Sequence, residues 1–125
     1  MENQVNNFKQ EYDQFIARFQ SDIVGTEEIG KQIGRQIQFY GDAVRVFVNV
    51  KIAFDKRLSE YEQRTDENTG KTYSSTKAEK IVNSLPEGVA MLRAEWDLKV
   101  IMEQVGALRN MQWGVQKEQG MMGGI

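Results

Sequence analysis

Residues 44–54 read VRVFVNVKIAF, and the fold turns on how they are paired. Val44, Val46, Val48, Val50 and Ile52 alternate strictly with their neighbours, as a half-buried β-strand does. The flanking segments favour a helix. Upstream, Ile29, Ile33, Ile37 and Tyr40 recur at steps of three and four; downstream, Phe54, Leu58 and Tyr61 resume the same period, with Lys51 in the gap. No turn signal separates the three pieces. The spacing therefore predicts one helix over 27–65. Read as helix, 44–54 is apolar on most sides and must be buried on most sides, which points to contacts between subunits.

Just upstream, residues 29–41 read IGKQIGRQIQFYG, with glycines at 30, 34 and 41. Each costs a helix interior roughly 1 kcal/mol relative to alanine, so close packing is expected to offset the cost. Gly30 and Gly34 share a face and Gly41 falls near it, so a neighbouring backbone can approach there. The contact lies within a helical hairpin or between subunits, with Gly106, Ala107 and Gly114 as facing partners, or the bare positions admit a ligand. Gly30, Gly34, Gly41, Val44, Phe47 and Val48 are the expected packing residues. A phosphate-cradling role fails, since no strand–turn–helix context or Gly-Lys-Ser/Thr follows.

Working outward, Val5, Phe8, Tyr12, Phe15, Phe19 and Ile23 form a narrow apolar stripe on an N-terminal helix. Gly25 ends it, and Thr26 with Glu27 and Glu28 opens the next helix, hydroxyl cap first and carboxylates in the first turn. TDENTGKTYSS (65–75) is a polar loop built around Asn68, Thr69 and Gly70. TKAE (76–79) and SLPE (84–87) match the capping box, the second with Pro86 in the first turn. A short helix at 76–83 and a long one from 85 to about 118 follow. On the last helix Leu98, Ile101, Val105, Leu108 and Val115 form one face, and Val89, Leu92, Trp96 and Val100 a neighbouring one, with Trp96 expected in the core. The expected fold is all-α: an antiparallel hairpin of two long helices with an additional N-terminal helix, self-associating. Residues 1–118 form a single helical domain, and 119–125 a flexible Gly/Met tail.

Composition removes whole classes of chemistry. The chain has neither cysteine nor histidine, so thiolate chemistry, thiolate metal sites and the commonest general base are missing. Glu11/Asp13, Glu27/Glu28 and Glu95/Asp97 lack the Glu-x-x-His spacing of a carboxylate metal cluster. Ser74 and Ser75 have no activating base and read as caps. We therefore expect no enzyme, no cofactor and no metal. The N-terminus lacks the pattern of a signal peptide, and no apolar run approaches membrane-spanning length; a cytoplasmic protein is expected.

The formal net charge of −2 hides a pattern: residues 1–28 are net −4, whereas residues 31–57 are net +4. A basic segment leaves nucleic-acid binding open. The candidate phosphate contacts are Arg35, Arg45, Lys56 and Arg57 on the second helix, and Arg109 and Lys117 on the last. Arg109, Trp113 and Lys117 stand at i, i+4 and i+8, a strip of charge, ring and charge of the kind on which single-stranded bases stack. The alternative is a solvated face with Trp113 buried at a helix contact.

RNMQW (109–113), with FDKRLSEYEQ leading to TGK (54–71), gives residues 27–118 a resemblance to the UvsY-type recombination mediators of tailed phages. In that family a charged long helix, a polar Gly-containing loop and a second long helix ending in Arg-Asn-Φ-Gln-Φ follow one another, Φ being apolar or aromatic. The resemblance implies a ring-forming oligomer that binds single-stranded DNA without sequence preference. It also implies help in loading a RecA-like recombinase onto strands covered by single-strand-binding protein. Arg109, Asn110 and Gln112 carry over as signature residues, Arg109 as a phosphate contact. This second helix departs from the family's Lys/Arg-rich pattern by being apolar and Gly-interrupted between 29 and 54. The competing reading is a structural or adaptor protein, a virion or assembly component, acting only through protein contacts.

Overall fold

The computed structural model describes residues 7–21 and 24–123, with side chains up to Glu118. Four helices follow in order: α1 (Asn7–Ser21), α2 (Thr26–Glu62), α3 (Ser75–Asn83) and α4 (Pro86–Gly123). Residues 44–54 are helical throughout, so the flanking 3.6-residue period prevails over the local alternation. α2 ends at Glu62, before the expected residue 65, and α4 continues through Gly123, past residue 118. Residues 124–125 of the expected tail lie outside the described residues, as do Val5 and Ile23 of the N-terminal stripe.

The chain divides into two compact units, one combining the chain up to Ala43 with Asp97 onward, the other formed by Val44–Trp96. In the first, α1 lies against the antiparallel pair made by the start of α2 and the end of α4. Phe15, Val24, Ile29 and Leu108 form its buried cluster, with Tyr12, Ile16, Phe19, Ile33, Met111 and Val115 packed around them. Phe8 of α1, fully buried, meets Phe39 of α2 at a ring separation of 6.3 Å. Two hydrogen bonds mark the antiparallel register of α2 and α4. Gln36 Nε2 donates to Gln104 Oε1 at 2.7 Å, and Gln112 Nε2 donates to the Thr26 carbonyl at 3.0 Å.

The second unit holds the end of α2, the loop, α3 and the start of α4, around buried Ala78, Val82 and Ala94. Its loop is tied by Asp66. The Asp66 carbonyl accepts from the amides of Thr69 and Gly70 at 3.2 and 2.8 Å, and the Asp66 amide donates to the Lys71 carbonyl at 2.6 Å. Gly70 has φ of 71°, a left-handed conformation at no steric cost to glycine. Ser74 caps α3, its hydroxyl accepting from the Lys77 amide. Ser84, expected to cap α4, closes α3 instead, its hydroxyl donating to the Ile81 carbonyl at 2.7 Å. Gly88 then allows the turn from α3 into α4, because a Cβ there would collide with the backbone of Val82 and Asn83.

The glycine expectations divide. A Cβ on Gly30 would lie 3.2 Å from Gln112 Nε2, so the bare position makes room for that crossing amide. Among the described residues, and apart from the helix's own adjoining backbone, nothing lies within 4 Å of where a Cβ on Gly34, Gly41, Gly106 or Gly114 would stand. Among the described residues, then, glycine does not meet glycine; Gly30 meets Gln112. Trp96, expected in the core, is 56% exposed. α4 turns Ala94 inward beside α3, and Val89, Leu92 and Trp96 fall on the opposite face.

Candidate nucleic-acid interface

The inward face of α4 in the first unit is set by Ile101, Val105 and Leu108, all buried. At 100° per residue that register puts Arg109 on the flank of the buried face and carries Trp113 and Lys117 progressively further toward the outward side. Trp113 is 63% exposed, and Lys117 Nζ stands 5.1 Å from its ring centroid. Arg109 is exposed and has no carboxylate within 4.0 Å among the described residues. The strip of charge, ring and charge is therefore present on the surface, with the indole held between a cation and solvent. An exposed ring flanked by cations can accept a stacked base while the cations meet the neighbouring phosphates.

The remaining candidates are in different states. Arg35, in the first unit, is forked onto Glu11 of α1: Nε lies 3.0 and 3.2 Å from the two carboxylate oxygens, and Nη2 lies 3.0 Å from Oε1. Its guanidinium also covers the Phe39 ring at 4.5 Å. The Glu11 hydrogen bond raises the Arg35 pKa further, so it stays charged. Arg45, Lys56 and Arg57 belong to the second unit. Arg45 and Lys56 are exposed. Arg57 donates to Glu60 at 3.0 Å and has Glu87 at 3.4 Å, and the Glu60 bond raises its pKa.

Some features escaped the sequence reading. Arg64 stacks on Tyr61 at 4.1 Å, and Tyr61 meets Tyr73 at 6.4 Å; the i, i+3 spacing of Tyr61 and Arg64 was the available signal. Gln112, a signature residue by resemblance, has a structural partner here in the Thr26 carbonyl. Among the packing candidates, Val44 and Phe47 are half-buried and Val48 is exposed. Large apolar side chains lie exposed in the second unit at Val48, Ile52, Val89, Leu92 and Trp96. Among the described residues no helix is long and apolar enough to cross a membrane. Among the described residues no group of three or more acidic side chains could hold a metal ion.

No family model matches the sequence. No curated protein and no solved structure matches it either.

Proposed function

We propose that this chain is a non-enzymatic, self-associating protein that binds single-stranded DNA without sequence preference, a recombination accessory of the kind its resemblance implies. The observation that carries the reading is the exposed Trp113 between Arg109 and Lys117 on α4. The ring supplies a stacking surface and the two cations supply phosphate contacts, a pairing that binds any sequence because every base has a π-face. Arg45 and Lys56 add exposed positive charge. A RecA-like recombinase or a single-strand-binding protein is the protein partner in this reading. Self-association draws on the exposed apolar residues of the second unit, since side chains such as Leu92 and Trp96 gain by leaving water.

Those same apolar residues favour one competing function, an adaptor whose contacts are all with protein. Titration of a labelled oligo(dT) by fluorescence anisotropy separates the two. The DNA reading expects binding that weakens as salt rises, because each neutralised phosphate releases counterions, and that falls on Arg109→Ala or Trp113→Ala. Binding that is absent at low salt, beside a defined protein complex, assigns the chain to the adaptor class.

A further inference from the structure

The Glu11–Arg35 contact joins the acidic N-terminal segment to the basic one. The carboxylate of Glu11 takes the guanidinium as a fork, with three nitrogen–oxygen distances between 3.0 and 3.2 Å. Nη1 donates to Gln38 Oε1 at 3.1 Å, and the plane of the group rests on Phe39. Arg35 is thus held in the arrangement with which arginine grips a planar or tetrahedral oxyanion. The pair is also accessible, with side-chain exposures of 48% and 34%. An open groove of about 430 Å³ runs beside Glu11, lined by Gln14, Phe15, Arg18 and Gln32. A second cross-helix pair, Arg18 with Glu28, stands next to it: Arg18 lines this groove, and both residues line a neighbouring one with Lys31.

We infer that Glu11 occupies, from within the chain, a site on Arg35 that a phosphate of single-stranded DNA takes when it binds; α1 acts as an acidic gate on α2. This rests on the DNA-binding reading above. Opening the gate does not require α1 to leave. Phe8 and Phe15 stay in the core, and only the Glu11 carboxylate swings into solvent. An exposed ion pair is a weak competitor, so a polyanion displaces it, and the displacement subtracts from the affinity the strand gains.

The test is a double-mutant cycle read by oligo(dT) anisotropy at several salt concentrations, on the full chain. Glu11→Gln keeps the shape and removes the charge. It is expected to tighten binding about two- to fivefold with the salt slope little changed, because the Arg35–phosphate contact forms in both chains. Asp13→Asn controls for charge alone, being exposed on the same helix with no basic side chain within 4.0 Å among the described residues; its effect is expected to be smaller. Arg35→Ala is expected to weaken binding in the unaltered chain and to weaken it more in the Glu11→Gln background, where it abolishes the gain. Equal effects of Glu11→Gln and Asp13→Asn overturn the gate, as does equal damage from Arg35→Ala in both backgrounds; either result leaves DNA binding standing. No binding by any variant overturns the DNA reading and the gate with it.

Discussion

Gln36 Nε2 donates to Gln104 Oε1 at 2.7 Å, and both side chains are buried, Gln36 completely. Gln32 donates in turn to Gln36 Oε1 at 2.8 Å. A polar thread therefore crosses an otherwise apolar helix contact and fixes which turn of α2 faces which turn of α4. Gln104→Leu leaves the Gln36 amide without its partner, and urea unfolding is expected to show a loss of about 1–3 kcal/mol. Gln36→Leu with Gln104→Leu removes both ends and is expected to recover most of that loss. A double variant as unstable as the single one would show that the pair itself holds the unit together.

The glycines of α2 separate internal packing from packing between copies. Gly34 and Gly41 have open space where a Cβ would go, so Gly34→Ala and Gly41→Ala are expected to raise the stability of the isolated chain by about 1 kcal/mol each. If these positions lie against a second copy, the same changes lower the oligomer's mass in analytical ultracentrifugation. Gly88→Ala is expected to destabilise by about 1–3 kcal/mol, because the added methyl meets fixed backbone at Val82 and Asn83.

The loop carries a pH dependence. Lys77 Nζ donates to Asp66 Oδ2 at 2.6 Å and the Asn68 amide donates to Oδ1 at 2.9 Å. These bonds, the Lys77 one first, hold the Asp66 carboxyl below its ordinary value. A lowered carboxylate contributes stability above its unfolded pKa, about 3.9, and loses it as pH falls through the folded value. The amides of Thr69 and Gly70 are therefore expected to lose hydrogen-exchange protection in acid, in pH-matched comparisons below about pH 4. Asp66→Asn is expected to flatten that loss while lowering protection at neutral pH. An unchanged acid profile in the variant would assign the loss to other carboxylates.

Helix type and order were legible from spacing alone. Ile29, Ile33, Ile37 and Tyr40 set a period that carried through the ambiguous valines of 44–54. The misplacement of Trp96 has a physical source: α4 is apolar on two opposite faces, Ala94 and Ile101 on one, Val89, Leu92 and Trp96 on the other. The face carrying Ala94 is buried and the one carrying Trp96 is exposed, a choice that spacing within α4 alone does not make. Gln36, Gln104 and Gln112 were not legible as packing residues, since a glutamine shows its role only when its partner on the other helix is known. The meeting of Gly30 with Gln112 was hidden for the same reason. At the candidate interface, spacing aligned Arg109, Trp113 and Lys117, and the neighbouring apolar register turned them to solvent. Spacing did not reveal that Arg35 and Arg57 are already engaged by Glu11, Glu60 and Glu87.

The most direct measurement takes Trp113 as its own reporter. In a Trp96→Phe variant, Trp113 is the remaining tryptophan, and its emission is followed while oligo(dT) is added at low and near-physiological salt. Stacking of a base on the ring predicts strong quenching at low salt, relief of that quenching as salt rises, and loss of the effect in Arg109→Ala. Emission unchanged by saturating oligo(dT) at low salt would contradict the account at its centre.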